Sequence, residues 1–356
     1  MSKFLDVFVD VTKKGKKIPT DDYLSTGKFP IIDQGQAQVS GYYDDKSGIF
    51  DDVPALIFGD HTRVIKYIDE PFFLGADGVK LLKAKDKNSD YKYLYYALCN
   101  AKIPNTGYNR HFKWLKEIEI PTPSLDSQHQ IAETLDKVTH LIDLCNRVLD
   151  RLDLLVKSRF VEMFGDIEKG CTIAEICSII TDGTHQPPKF TKSGIPFLFV
   201  SNIVTNEITY NAEKYISEET YNELYKRTPI EIGDIVLSTV GSYGHPAIVK
   251  TERKFLFQRH IAYLKPISSA VNSTYLHSAI LSNDVQRQIN ERVKGIAQKT
   301  LNLSEIRKIV IPIPPLVLQK QFAAFAEQTD KSKLAVKQVL EKAETMKKAL
   351  MQEYFG

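Results

Sequence analysis

The sequence predicts an α+β fold: two α/β domains separated by two long antiparallel coiled-coil helices, built as an internal repeat with a pseudo-twofold axis. Three observations carry this. The stretch "IPTPSLDSQHQIA" beginning at Ile120 returns as "IPIPPLVLQKQFA" beginning at Ile311, an offset of 191 residues. At that offset residues 116–165 match residues 307–356 at 14 of 50 positions, where about three would arise by chance for ordinary residue usage. A heptad-like apolar run follows each copy, and strand-like runs precede it in both halves of the chain.

The strand-like runs come first. "VPALIFGDHTRVIKYIDEPFFLGADGVKLLKA" from Val53 lies against "IGDIVLSTVGSYGHPAIVKTERKFLFQRHIAYLKP" from Ile232, and each reads as strand, glycine-containing turn, strand, aromatic strand, strand. A helix follows in both, "YKYLYYALCN" from Tyr91 and "STYLHSAILSNDVQRQI" from Ser273, then a polar loop, "TGYNRHFKWL" or "KGIAQKTLNL". The runs "IEIP" and "IVIP" suit edge strands, because the prolines that follow block both further ladder pairing and an early helix. The predicted helices therefore begin at Ser127 and Gln319 and end at Phe164 and Tyr354. The first would be about 57 Å long at 1.5 Å per residue and needs a partner to cover its apolar stripe.

That stripe runs through Ile131, Leu135, Val138, Ile142, Cys145, Leu149, Leu152, Val156, Phe160 and Met163, in steps of mostly three and four. The second helix has a weaker seam, Phe322, Ala326, Thr329, Val336, Leu340, Ala343 and Met351, with Lys333 and Lys347 at seam positions. The packing residues expected to join the pair are Ile131, Leu135, Val138, Ile142, Leu149, Leu152 and Val156 on one side and Phe322, Val336 and Leu340 on the other. The resulting organisation is a globular domain at 1–123, a helix at 124–165, a second domain at 166–314 and a second helix at 315–356.

Composition narrows the function. With 43% hydrophobic and 26% charged residues the chain is globular, and it contains no run of about 18 apolar residues. The N-terminus "MSKFLDVFVDVTKKGKK" lacks a secretion signal, so a cytoplasmic protein is expected. Cys99, Cys145, Cys171 and Cys177 make no CxxC pair, which offers neither a disulfide framework nor the usual zinc spacing. A net charge of +3 permits nucleic-acid binding without demanding it. Phosphate-loop and HExxH patterns are missing, and so is the acidic or amide residue before Pro-Pro-aromatic that an adenine methyltransferase needs; "HQPPKF" at His185 misses that spacing. Catalysis by this chain is not expected.

The pattern "IPTPSLDSQHQIAETLDK…LVKSRFVEMFGD" and its echo "IPIPPLVLQKQFAAFAEQTDK…MKKALMQEYFG" closely resemble the spacer regions of the specificity (S) subunit of type I restriction-modification systems. The resemblance implies a non-catalytic subunit in which 1–123 and 166–314 are target recognition domains, 124–165 the central spacer helix and 315–356 the C-terminal one. Each domain would read one half of a bipartite target in double-stranded DNA, while the helices set the gap. Two methyltransferase subunits, and restriction or translocase subunits with them, would be the protein partners. S-adenosylmethionine, ATP and Mg would then be bound by those partners, with no cofactor in this chain and no membrane involved. A helical scaffold without DNA readout and a self-contained methyltransferase or nuclease are the competing classes.

DNA reading needs cations for phosphates and paired donors or acceptors for base edges. On predicted turns of the first domain the candidates are Lys13, Lys14, His61, Arg63, Tyr108, Asn109, Arg110, His111 and Lys113. In the second domain they are His185, Gln186, Lys189, Tyr243, His245, Arg259, Gln298 and Lys299. No metal-binding residues are expected.

Overall fold

The structure is a computed structural model of the chain and describes all residues except 76, 108, 168, 296 and 297. The chain divides into two compact units, Met1–Asn146 with Lys337–Gly356, and Arg147–Val336. The long helices span Leu125–Phe164 and Leu316–Phe355, so each begins in one unit and ends in the other.

The two units share one plan. In the first, an antiparallel sheet orders Phe8–Asp10, Val79–Ala84, Ala55–Gly59 and Ile65–Ile68. A smaller sheet places Phe29–Ile32 between antiparallel Gly41–Tyr43 and parallel Phe73–Leu74. In the second, Cys177–Asp182, Ile261–Pro266, Ile235–Ser238 and Pro246–Ile248 form the antiparallel sheet, and Ile195–Leu198 lies between Lys214–Ile216 and Leu256–Phe257 in the smaller one. The edge strands expected before the prolines pair with the opening strand of their own domain, Glu119–Ile120 with Ser2–Lys3 and Val310–Pro312 with Gly170–Thr172.

The repeated proline stretch has a structural reason. In the first unit Asp90 caps the helix Tyr91–Cys99, its Oδ1 accepting from Tyr93 N at 2.9 Å. Gln128 bridges that cap to the prolines: its Oε1 accepts from Asp90 N at 3.3 Å while its Nε2 donates to the Pro123 carbonyl at 3.0 Å. Tyr93 donates its hydroxyl to the Pro121 carbonyl at 2.8 Å, and the Phe355 ring packs 5.3 Å from its own. The second unit repeats every contact. Asn272 caps Ser273–Ile280, Gln319 accepts from Asn272 N at 2.8 Å and donates to the Pro314 carbonyl at 2.9 Å, Tyr275 donates to the Pro312 carbonyl at 2.6 Å, and Phe164 packs 5.0 Å from Tyr275. Carbonyls before and within a proline run have no ladder partner, so the glutamine amide and tyrosine hydroxyl satisfy them and fix the long helix to its domain. The terminal Phe of each long helix closes the same clasp in the other unit.

Along the seam, Leu135, Val138, Cys145 and Phe322 are buried, and Ile131, Ile142, Leu149, Leu152, Val156, Val336 and Leu340 are half-buried. Ile131 packs on the core of the first unit, whereas Val156 and Phe322 join that of the second. Lys333 does not waste its seam position, because its Nζ reaches Asp153 Oδ1 on the neighbouring helix at 2.5 Å. Pairing of 153 with 333 and 160 with 322 within the second unit makes the two helices antiparallel there. Two boundaries differ from the sequence expectation. The long helices start two and three residues earlier, directly after Ser124 and Pro315, since the prolines restrict only the residues before them. The helix expected from Ser273 is two helices, Ser273–Ile280 and Asn283–Arg292, because Ser282 caps a new start by accepting from Val285 N.

Candidate nucleic-acid interface

In the second unit four polar segments far apart in sequence are sewn into one platform by backbone hydrogen bonds. Thr184 N donates to the Phe257 carbonyl at 2.9 Å and Arg259 N to the Thr184 carbonyl at 3.1 Å. Thr239 N donates to the His260 carbonyl at 2.9 Å, Leu301 N to the Thr239 carbonyl at 2.8 Å, and Gly241 N to the Lys299 carbonyl at 3.1 Å. A cleft lined by Asp182, Thr239, Arg259, His260, Gln298 and Asn302 lies on this platform. Of the sequence candidates Arg259 and Gln298 line it, His185 contacts Asp182 at its wall, and Gln186, Lys189 and Lys299 are exposed. Burial and the neighbouring Arg259 charge hold the His260 imidazole below its usual pKa, which favours the neutral ring.

Gly183 is what lets the first of these loops approach so closely. A Cβ there would collide with the Phe257 carbonyl oxygen and stand 2.5 Å from that of Gln258. Gly183→Ala should therefore lower stability by roughly 1–3 kcal/mol, as overpacking against backbone does, and should selectively expose the Thr184 and Arg259 amides. Denaturant unfolding with amide exchange checks both; full protection of those amides in the variant would show that the loop is not held by this approach.

Tyr243 and His245 do not join the platform. The Tyr243 hydroxyl donates to Asn290 Oδ1 at 2.9 Å and its ring packs on the core, while His245 Nδ1 lies 3.1 Å from Asn206 Oδ1. Both are half-buried and engaged by their own domain. Two further residues meet at this cleft, Asp182 and Arg227. Asp182 lines the cleft, and Arg227 donates to its Oδ1 at 2.7 Å.

In the first unit a buried carboxylate does the sewing. The Asp60 carbonyl accepts from His111 N at 2.7 Å and from His111 Nδ1 at 3.0 Å, and Asp60 Oδ1 accepts from Phe112 N at 2.8 Å. The turn carrying His61 and Arg63 is thus tied to the loop carrying Asn109, Arg110 and Lys113. His111 itself must be removed from the contact candidates: it is fully buried, its ring 5.3 Å from that of Trp114, so it positions the loop rather than facing a groove. Arg63 sits at φ +63° and donates to the Ile103 carbonyl at 3.3 Å, which directs its guanidinium along the protein surface. Asn109, Arg110, Lys113, Lys13 and Lys14 are exposed, with the Lys113 ammonium 4.1 Å above the Trp114 ring and the two lysines on the single turn Thr12–Lys14. Tyr108 lies outside the described residues.

Two like α/β domains in tandem, each followed by a long helix and each gathering polar loops at one place, define the architecture of this class of protein. The chain belongs to the family of type I restriction modification DNA specificity domains, whose family model matches residues 1–154 and 169–345. It is 24% identical over 309 residues to the type I restriction enzyme EcoBI specificity subunit of Escherichia coli, a match that covers 76% of this chain and 65%, just under two thirds, of that relative. It is 24% identical over 315 residues to the MjaVIII specificity subunit of Methanocaldococcus jannaschii, covering 78% of this chain and 74% of the relative. The fold matches the crystal structure of the type I restriction-modification S subunit from M. genitalium, with a TM-score of 0.66, 18% identity, and coverage of 99% and 95% of the two chains.

Proposed function

We propose that this chain is the non-catalytic DNA-specificity subunit of a type I restriction-modification complex acting in the cytoplasm, each domain reading one half of a bipartite duplex target. The observation that carries this is the laced platform of the second domain, with Arg259 and Lys299 exposed on hydrogen-bonded backbone and His185, Gln186 and Gln298 exposed next to the residues it ties down. Rigidly held donors discriminate base edges better than free ones, because less side-chain and loop entropy is lost on binding. The first domain offers Asn109, Arg110 and Lys113 on its own tied loop. In this reading the two long helices set the length of the unread gap and dock two methyltransferase subunits, with restriction or translocase subunits joining them. Exposed apolar side chains on those helices support docking: Leu144, Leu154, Leu155 and Val161 on the first, Leu334, Val339 and Met346 on the second. S-adenosylmethionine, ATP and Mg belong to the partner subunits in this assignment.

Mapping methylated bases genome-wide, with the gene intact and deleted, tests the assignment. One split motif should lose its mark on deletion and regain it on complementation. A methylome identical in both strains, with the partner methyltransferase expressed, would sink the reading.

A further inference from the structure

Asp182 ends the first strand of the second domain's large sheet, and its carboxylate accepts from two side-chain donors at once. Oδ1 accepts from Arg227 Nη2 at 2.7 Å, and Oδ2 lies 2.9 Å from His185 Nε2, which donates to it. The carboxylate is only 16% exposed, whereas Arg227 and His185 are each 51% exposed. Arg227 sits on the single turn Tyr225–Arg227, away from the core, and among the described residues its guanidinium has no other partner. Asp182 also lines the cleft that carries Arg259 and Gln298, and the adjoining Gly183–Thr184 backbone is bonded to Ile261 and Phe257 at 3.1 and 2.9 Å, so the carboxylate stands on fixed ground.

A free arginine on a surface samples many rotamers and loses that freedom when it binds. One whose Nη2 is already held by a carboxylate presents its remaining N–H edge in one direction. The partner that fits a fixed donor fork is the O6/N7 acceptor pair of guanine in the major groove. Cytosine and its amino donor would need an acceptor, and the acceptor here, the Asp182 carboxylate, is already occupied by the Arg227 and His185 donors. Resting on the function proposed above, we infer that Asp182 is a positioning residue that aims Arg227 at a guanine in the half-site read by the second domain, with His185 flanking it.

The test uses the chain assembled with its methyltransferase subunits and reads two things: the methylated motif genome-wide, and affinity for duplexes altered at each position of the second half-site. Arg227→Ala should abolish preference for one guanine, a loss of roughly 5- to 100-fold in discrimination at that position. Arg227→Lys keeps the charge but not the fork and should relax the same position; it alters a half-exposed surface residue, so folding is not at risk. Asp182→Asn should relax that position too, while affinity for unrelated DNA stays level or rises because a negative charge near the phosphates is gone. A folding defect would instead degrade every position of the half-site together. If Arg227→Lys retains full discrimination while Arg227→Ala weakens all duplexes alike, the arginine touches phosphate and the inference is overturned. It is equally overturned if all three variants keep the parental motif. A parental complex that methylates no split motif would overturn the functional reading itself, which is a separate and recognisable result.

Discussion

Phe322→Ala is expected to destabilise the second unit by about 3–5 kcal/mol, the range seen when a buried aromatic is truncated. The side chain is fully buried, with the rings of Phe160, Phe164 and Tyr275 at 5.4, 5.6 and 6.4 Å. Those three rings come from the first long helix and from the domain helix, so the cavity would open where three elements meet. Collapse into it is resisted, because Tyr275 is tethered by its hydroxyl to the Pro312 carbonyl and Phe164 is itself only 2% exposed. Burial also pushes the Tyr275 phenol well above its ordinary pKa, as expected for a hydroxyl held in an apolar cluster. Val336→Ala, at a half-buried seam position, serves as the control and should cost well under half as much. Denaturant unfolding of the full chain measures both. Equal losses would mean that Phe322 is ordinary helix-pair packing and not the keystone of the clasp.

How much of this was legible in the sequence follows from the distance over which each feature is encoded. The repeat, the seam and the strands after Val53 and Ile232 depend on local alternation and on the 191-residue echo from Ile120 to Ile311, and are readable; the earlier strands of each domain, such as Phe29–Ile32 and Ile195–Leu198, and the order of the sheets are set by long-range pairing and are not. Even Lys333 was correctly placed on the seam, though its Asp153 partner was not foreseen. The candidate interface was readable only as a set of loops. His111 sits in "GYNRHFK", whose polarity suggests a groove-facing loop, yet its backbone and ring both serve the Asp60 carbonyl inside the domain. No periodicity encodes that. Asp182 and Arg227 are 45 residues apart, a separation that no local spacing or periodicity encodes. Tyr243 and His245 were singled out by their turn, but Asn290 and Asn206, which engage them, come from segments 47 and 39 residues away.

On the function proposed above, exchanging the first domain for that of a relative with another specificity should change one half of the methylated motif completely and leave the other half untouched. The physical basis is that the cores are separate. Phe4, Leu56, Phe58, Leu82 and Tyr93 cluster in the first unit, and Ile173, Ile235, Leu237, Leu264 and Tyr275 in the second. What the graft must preserve is the fastening to the helices. Tyr96 donates to Asp136 Oδ1 at 2.6 Å, Lys92 pairs with Asp136 at 3.1 Å, Asp90 with His129 at 2.5 Å, and Asn100 Nδ2 donates to the Phe355 carbonyl at 3.1 Å. A graft of residues 1–123 that retains Asp90, Lys92, Tyr93, Tyr96 and Asn100 keeps those bonds. One that discards them removes the domain's fastening to both long helices and should methylate poorly at every site. Expressing both grafts with the partner methyltransferase and mapping methylated motifs distinguishes the cases. If the matched graft altered both halves of the motif, the domains would not read independently; if it altered neither, the bases would be read from outside residues 1–123.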